Sequence, residues 1–240
     1  MQDAGIRINK YLSDSGACSR RQADRLIEQG RVAVGGQRAE LGTRVLPGQQ
    51  VTLDGRVLRS YNPHRYIALN KPVGIVCTAD PRERYNVVSY LNYPIRVFPV
   101  GRLDRESEGL LLLTSDGEIV NRLLRAEGGH EREYEVEVDR PVTREFVEKM
   151  QAGVAILDTV TLPCRVRKTG GKSFNIVLVQ GLNRQIRRMC EALGYRVTRL
   201  RRVRIMHIRL GNLRPGQWRE LTEAEMEGLE KAGIYPKTFS

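Results

Sequence analysis

The chain has 240 residues, of which 40% are hydrophobic, and a formal net charge of +12. This length allows one large domain or a small domain with a medium one. No apolar run reaches the ~20 residues that cross a bilayer, which argues against a membrane protein, and we expect no secretory leader. A chain this basic is expected to bind a polyanion, with nucleic acid as the leading class.

The cysteines and histidines are too few and too scattered for a disulfide framework or a metal site. No Cys-x-x-Cys pair occurs, and the histidines do not fall at the spacing of zinc ligands. We therefore expect reduced thiols, a cytoplasmic location and no bound metal. The residues concerned are Cys18, Cys77, Cys164, Cys190, His64, His130 and His207.

Residues 1–59 are predicted to form a small unit of two basic helices followed by short strands. Ser19 is a favourable N-cap for the second helix, and Asp54-Gly55 between two apolar runs predicts a β-hairpin. Residues 60–65 contain a proline and lack periodicity, so they are predicted to be a linker. The helices are expected to present a basic face that carries Arg7, Lys10, Arg20, Arg21 and Arg25.

Residues 66–240 are predicted to form an α+β domain with a mixed, mostly antiparallel sheet. Alternating or continuous apolar runs predict its strands, among them Tyr66–Leu69, the leucine run Leu110–Leu113, and Glu133–Val138. Capping residues predict where its helices begin. The predicted caps are Ser115 for a helix that ends at Gly128-Gly129, Thr143 for one through Gly153, Asn183 for one through Gly194, and Thr222 for the last helix.

The segment that precedes the leucine run has the composition of a reactive site. Asp104 stands between Arg102 and Arg105, after Gly101, in a predicted loop at the edge of the core. A carboxylate beside a cation stays ionised, because the cation favours its charged form, and an ionised, oriented carboxylate can act as a nucleophile or a base. The alternative is an Asp–Arg pair that only stabilises a loop.

Gly101-Arg102-Leu103-Asp104 resembles the catalytic motif of the pseudouridine synthases, in the branch with small-subunit and large-subunit ribosomal RNA members. Asn70-Lys71-Pro72-Val73-Gly74 and Gln185-Ile186-Arg187-Arg188-Met189 are similar to two further segments of this family. The first unit resembles the S4 RNA-binding domain, in Arg7–Leu12, Cys18–Arg21 and Gly30–Val32. The resemblance implies an S4-like RNA-binding domain at 1–59 and a pseudouridine synthase catalytic domain at 66–240. It also implies that the first unit binds RNA, mostly at phosphates, through the basic face that carries Arg7, Lys10, Arg20, Arg21 and Arg25.

The resemblance also implies roles for three residues. Asp104 would be the nucleophile, Tyr134 would stack on the target base and is a candidate to remove the C5 proton, and Arg187 would pair with Asp104. An arginine suits that pairing because it stays charged and presents a planar fork to a carboxylate. The carboxylate could add to C6 of the base or to C1′ of the ribose. The reaction needs no cofactor.

The substrate uridine would have to leave its helix to reach the carboxylate. Either Arg102 or Arg105 would fill the vacated space or hold the flanking phosphates. Between Arg184 and Arg204 eight arginines occur with Glu191 as the only acid, which favours contact with an RNA backbone. The residues expected to contact RNA in the second unit are Arg102, Leu103, Arg105, Arg184, Gln185, Ile186 and Arg188.

The expected substrate is a specific uridine of large-subunit (23S) ribosomal RNA, and a tRNA as a second substrate. Small-subunit members carry Tyr-His where this chain has Asn183-Arg184, which argues against a small-subunit substrate. A small-subunit rRNA enzyme and a non-catalytic RNA-binding assembly factor remain the alternatives. An RNA glycosylase or nuclease would need a second acid, and the nearby Glu106 and Glu108 have no matching role in the family. We expect a monomer.

Overall fold

The structure is a computed structural model that describes residues 5–46, 48–58, 64–80, 82–117, 119 and 129–234. The chain separates into two compact units. The first ends at His64 and also takes Pro94–Arg96, and the second holds Arg65–Tyr93 and the chain from Val97 onward. Most of the predicted linker lies outside the described residues, as does most of the helix predicted after Ser115.

The first unit packs two helices on short strands. The Ser19 hydroxyl accepts a hydrogen bond from the Gln22 amide at 3.1 Å, so the predicted cap is confirmed. Asp54 and Gly55 both adopt positive φ (51° and 75°) and close the predicted hairpin. The elements are α1 (Ile8–Asp14), α2 (Arg20–Glu28), β1 (Ile6–Arg7), β2 (Val32–Val34), β3 (Gln37–Arg38), β4 (Arg44–Val45), β5 (Val51–Leu53) and β6 (Arg56–Leu58).

The second unit is built on one large sheet with helices packed on it. Its helices are α3 (Val87–Leu91), α4 (Arg144–Ala152), α5 (Gln185–Ala192) and α6 (Glu223–Lys231). Its strands are β7 (Tyr66–Lys71), β8 (Phe98–Val100), β9 (Glu108–Thr114), β10 (Arg132–Val138), β11 (Ala155–Ile156), β12 (Thr159–Val160), β13 (Arg165–Lys168), β14 (Ser173–Leu178), β15 (Val197–Ile205), β16 (Ile208–Arg209) and β17 (Trp218–Glu220).

The main path of the sheet runs β13-β14-β10-β15-β9-β7-β17, with β16 beside β15 and β8 beside β9. Among the described strands only β15 and β9 pair in parallel, so the predicted mixed, mostly antiparallel sheet is confirmed. Gly109 in β9 makes this pairing possible. A Cβ atom there would lie 2.3 Å from the Arg202 carbonyl oxygen, so only glycine allows the two backbones to approach so closely.

The caps of α4 and α6 are also confirmed. Thr143 accepts from the Phe146 amide, and Thr222 forms a capping box with Glu225. The predicted cap at Asn183 is wrong. Arg184 occupies the N-cap of α5 in a left-handed conformation (φ 51°), and its side chain forms no cap hydrogen bond. No helix among the described residues has the length and apolar character needed to span a membrane.

Candidate active site

A cleft of about 710 Å³ opens in the second unit. Its walls come from the β8–β9 loop, from β10 and β15, and from the turn that leads into α5. Asp104 and Tyr134, which lie 30 residues apart in the chain, both line this cleft, whereas Arg187 does not. The other predicted residues that line it are Arg102, Leu103, Arg184, Gln185 and Ile186.

The loop that carries Asp104 is fixed on both sides of that residue. The buried Leu103 donates its amide to the Cys77 sulfur at 3.3 Å, and the Asp104 carbonyl accepts from the Ser107 amide at 3.0 Å. The Asp104 side chain remains one-third exposed (33%). The backbone therefore holds the carboxylate at the cleft wall and leaves it accessible to a substrate.

The cation beside Asp104 is Arg184, and the predicted Asp104–Arg187 pair is not formed. Arg184 Nη1 lies 3.6 Å from Asp104 Oδ2 and 2.9 Å from Glu106 Oε2. The hydrogen bond from Arg184 lowers the pKa of Glu106, and the same bond raises the pKa of Arg184. The left-handed backbone at Arg184 directs this guanidinium to the loop, a geometry that the motif alone did not predict.

Arg187 instead supports the backbone behind Asp104. Its Nη2 donates to the Glu106 carbonyl and to the Ser107 hydroxyl, each at 3.2 Å, and its Nη1 lies 3.5 Å from the Val197 carbonyl. Ser107 is fully buried. The Arg187 guanidinium therefore donates to the loop that carries Asp104 and does not pair with the Asp104 carboxylate.

Tyr134 enters the cleft from β10. The register pairs it with Arg202 of β15, at an irregularity between Glu133 and Tyr134, and its ring packs against a buried cluster that includes Leu103. Arg132, two positions earlier on the same strand, also lines the cleft, and burial lowers its pKa. Tyr134 and Asp104 thus line the same cleft.

Comparison with known proteins gives the family. The model of the RNA pseudouridylate synthase family matches residues 65–192, and the S4 domain model matches residues 6–51. The chain belongs to the RNA pseudouridine synthases. The synthase is 52% identical over 233 residues to the dual-specificity RNA pseudouridine synthase RluF of Escherichia coli, a match that covers 96% of this chain and 80% of that protein.

Two further similarities agree with this assignment. Ribosomal large subunit pseudouridine synthase B of Bacillus subtilis is 33% identical over 240 residues, a match that covers 96% of this chain and 98% of that protein. A crystal structure of a pseudouridylate synthase superposes with a TM-score of 0.67 at 27% identity, and the match covers 93% of this chain and 99% of that one. The similarity therefore extends over both units.

The other predicted RNA contacts differ in exposure. Gln185 and Ile186 are buried, and the Gln185 side chain accepts from the Leu182 amide at 3.0 Å, so both also shape the cleft wall. Arg188 donates to the Asn183 carbonyl at 3.1 Å and thereby holds the turn before α5. Arg102 and Arg105 are exposed. Their contacts with RNA stay predictions.

The arginine-rich strand β15 is less free than its sequence indicates. Arg199 pairs with Glu108 at 2.6 Å, Arg201 with Glu135 at 3.4 Å, and Arg204 with Glu133 at 2.8 Å. The glutamates stand on β9 and β10, distant in the sequence but adjacent in the sheet. Much of the charge that was expected to need RNA is therefore balanced within the synthase itself.

The sequence did not predict that two cations of the second unit, Lys71 and Arg202, are buried. Lys71 is fully buried and donates to the Pro72 and Ile75 carbonyls at 2.8 and 2.9 Å, and burial lowers its pKa. Arg202 is 3% exposed and lines the cleft. Only their burial distinguishes these two cations from the other basic residues, and burial cannot be read from the sequence. Among the described residues, no cluster of His, Cys, Asp and Glu is placed to hold a metal ion.

The first unit carries the predicted basic face on α2 and just before α1. The side chain of Asn9 joins the two helices by donating to Asp24 at 2.9 Å, while Ala23 and Ile27 face the core. Lys10 is half-buried. The exposed arginines of this face form no ion pair with any described residue, and they are Arg7, Arg20, Arg21 and Arg25.

Proposed function

We propose that this synthase converts a specific uridine of large-subunit ribosomal RNA to pseudouridine and that it also accepts a tRNA. The support is its 52% identity to a protein named for dual specificity and its similarity to a large-subunit enzyme of Bacillus subtilis. Asn183-Arg184, in place of the Tyr-His of small-subunit members, points the same way.

The observation that carries the proposal is the placement of Asp104. The carboxylate stands on a fixed loop in the same cleft as Tyr134, with the Arg184 guanidinium 3.6 Å away. In the reaction the N1–C1′ bond breaks, the uracil turns, C5 joins C1′, the C5 proton leaves and N1 gains a proton. Asp104 serves as the nucleophile, and Tyr134 contacts the base and is the candidate to take the C5 proton.

The uridine reaches Asp104 only when it is flipped out of its stack, because the reacting atoms lie inside the helix. A cleft of about 710 Å³ accommodates a nucleotide. Arg102, exposed at the cleft rim, fills the vacated space or holds the flanking phosphates. The first unit adds affinity through phosphate contacts, which position the RNA without reading its sequence.

The test is to map pseudouridines in rRNA and tRNA from a strain that lacks this protein and to complement it with variants. Wild type should restore the missing large-subunit and tRNA pseudouridines. Asp104→Asn should restore none, because the amide is not a nucleophile, and its rate in vitro should fall by about 10³-fold or more. Its RNA affinity should stay within about twofold, since phosphates are bound by cations and hydrogen-bond donors and not by a carboxylate.

Asp158→Asn is the matched control. Asp158 is an exposed carboxylate in the β11–β12 turn, and its variant should behave as wild type. Restoration of pseudouridine by Asp104→Asn would contradict the assignment of Asp104 as the nucleophile. Loss of a small-subunit pseudouridine alone would contradict the substrate assignment.

The proposal also includes a monomer that works in the cytoplasm. The four cysteines are free thiols, as expected of a reducing compartment. Sedimentation of the purified synthase with and without substrate RNA would check the monomer.

A further inference from the structure

Arg202 differs from its neighbours on β15 in having no carboxylate partner. Arg199, Arg201 and Arg204 each pair with a glutamate, whereas Arg202 is 3% exposed and forms no ion pair with any described residue. Its Nη2 is buried and finds no hydrogen-bond acceptor among them. A buried, unpaired cation costs free energy, so stability alone does not explain an arginine at this position.

The two bonds that Arg202 does make reach both sides of the loop that carries Asp104. Its Nε donates to the Leu110 carbonyl at 2.7 Å, near the start of β9, and its Nη1 lies 3.5 Å from the Arg102 carbonyl, two residues before Asp104. Asp104 lies between these two residues in the chain. One guanidinium therefore spans the segment that carries the carboxylate.

The sheet fixes the guanidinium from the other side. Arg202 stands opposite Tyr134 in the β10–β15 register and opposite Gly109 in the β9–β15 register. The missing Cβ at Gly109 allows the β15 backbone to come this close to β9. Arg202 thus sits where the strand that bears Tyr134 and the strand that follows Asp104 meet, and its side chain lines the cleft.

We propose that Arg202 is a positioning residue for Asp104. Arg202 sets the distance between the loop that carries Asp104 and the cleft wall that carries Tyr134. It acts through the Arg102 and Leu110 carbonyls, so it is distinct from Arg184, which faces the carboxylate, and from Arg187, which holds Glu106 and Ser107. The inference rests on the proposed function, because its readout is pseudouridine formation.

The experiment compares Arg202→Met, Arg202→Lys and Arg202→Ala with wild type on one substrate RNA. Arg202→Met should lower kcat by about 100-fold, the cost of an ångström-scale misplacement of a catalytic group, with KM within about threefold because the buried Arg202 touches no phosphate. Its Tm should stay within ~5 °C of wild type, since removal of an unpaired buried charge offsets the lost hydrogen bonds.

Rescue separates positioning from general damage. Arg202→Lys, which keeps the charge and can reach one carbonyl, should recover about tenfold of the lost rate. Millimolar guanidinium should raise kcat of Arg202→Ala and leave wild type unchanged. Arg144→Met, which removes a 93% exposed arginine from α4, is the control and should behave as wild type.

Each result decides the matter. An active, folded Arg202→Met, or a rise in KM with unchanged kcat, overturns the positioning role. If Arg202→Met does not fold, the test passes to Arg202→Lys and to the response of Arg202→Ala to guanidinium. Full activity of Arg202→Lys would contradict the positioning role, because lysine cannot reach both the Arg102 and the Leu110 carbonyls. An inactive wild type contradicts the proposed function instead, so the two failures are distinguishable.

Discussion

The arginines of α2 in the first unit are exposed, whereas Arg187 is half-buried and Arg202 is buried in the second unit, and both donate to backbone carbonyl oxygens. Arg20, Arg21 and Arg25 project from one helix, and each can meet a phosphate independently. Arg187 and Arg202 each bond two carbonyl groups, and each retains a buried nitrogen that has no acceptor among the described residues. Arginine therefore provides exposed positive charge in the first unit, whereas in the second unit it holds backbone segments in place.

This difference predicts how substitutions combine. Exposed phosphate contacts are independent, so the effects of removing them should add and should weaken with salt. Buried arginines that support one loop share a function, so single substitutions should have large effects that do not add. Removing arginines from each region, and measuring kcat separately from RNA affinity, tests whether the two groups of arginines differ in this way.

Arg187→Met should lower kcat strongly and leave RNA affinity nearly unchanged. Loss of two hydrogen bonds to the loop, each worth ~1 kcal/mol, should lower kcat by about 30-fold. RNA affinity measured by filter binding should change by less than about twofold, because Arg187 meets Glu106 and Ser107 rather than a phosphate. Arg144→Met again serves as control. A loss of affinity with unchanged kcat would place Arg187 in RNA binding and remove the contrast.

The combined variant Arg20→Gln, Arg21→Gln and Arg25→Gln should have the opposite signature. Affinity should fall by about tenfold at physiological salt, and the slope of log K against log salt should decrease by about 0.7 to 0.9 for each phosphate that is no longer bound. With saturating RNA, kcat should match wild type. Glu28→Gln, at the end of the same helix, is the control and should not weaken binding. An unchanged salt slope would mean that this face does not contact RNA.

Local patterns predicted the parts of the molecule that depend on neighbours in the sequence. Ser19, the Asp54-Gly55 hairpin and the Thr222 capping box follow from the chemistry of three or four consecutive residues. The Asp104 loop followed from a short motif in the same way. The expected Asp104–Arg187 pair did not, because the left-handed backbone at Arg184 decides which guanidinium meets the carboxylate.

The arginines of β15 show why the rest could not be predicted. Alternation separates the two faces of a strand but does not say which face lies against the cleft. Only the β10–β15 register places Glu133 and Glu135 beside Arg204 and Arg201. The charge that was expected to require RNA is therefore partly internal, and Arg202 is buried instead.

Ser19→Ala should have a small effect, on the stability of the first unit alone. Removal of the cap leaves the Gln22 amide of α2 unsatisfied, and the first unit should lose ~1 kcal/mol. Chemical denaturation, monitored by hydrogen exchange of the α2 amides, measures this loss of unfolding free energy. Ser19→Asp is the control variant, because it keeps a capping side chain. At a temperature where both units stay folded, kcat should be unchanged, because Ser19 supports only the presentation of Arg20, Arg21 and Arg25. A fall in kcat at saturating RNA would show that the first unit also influences the geometry around Asp104.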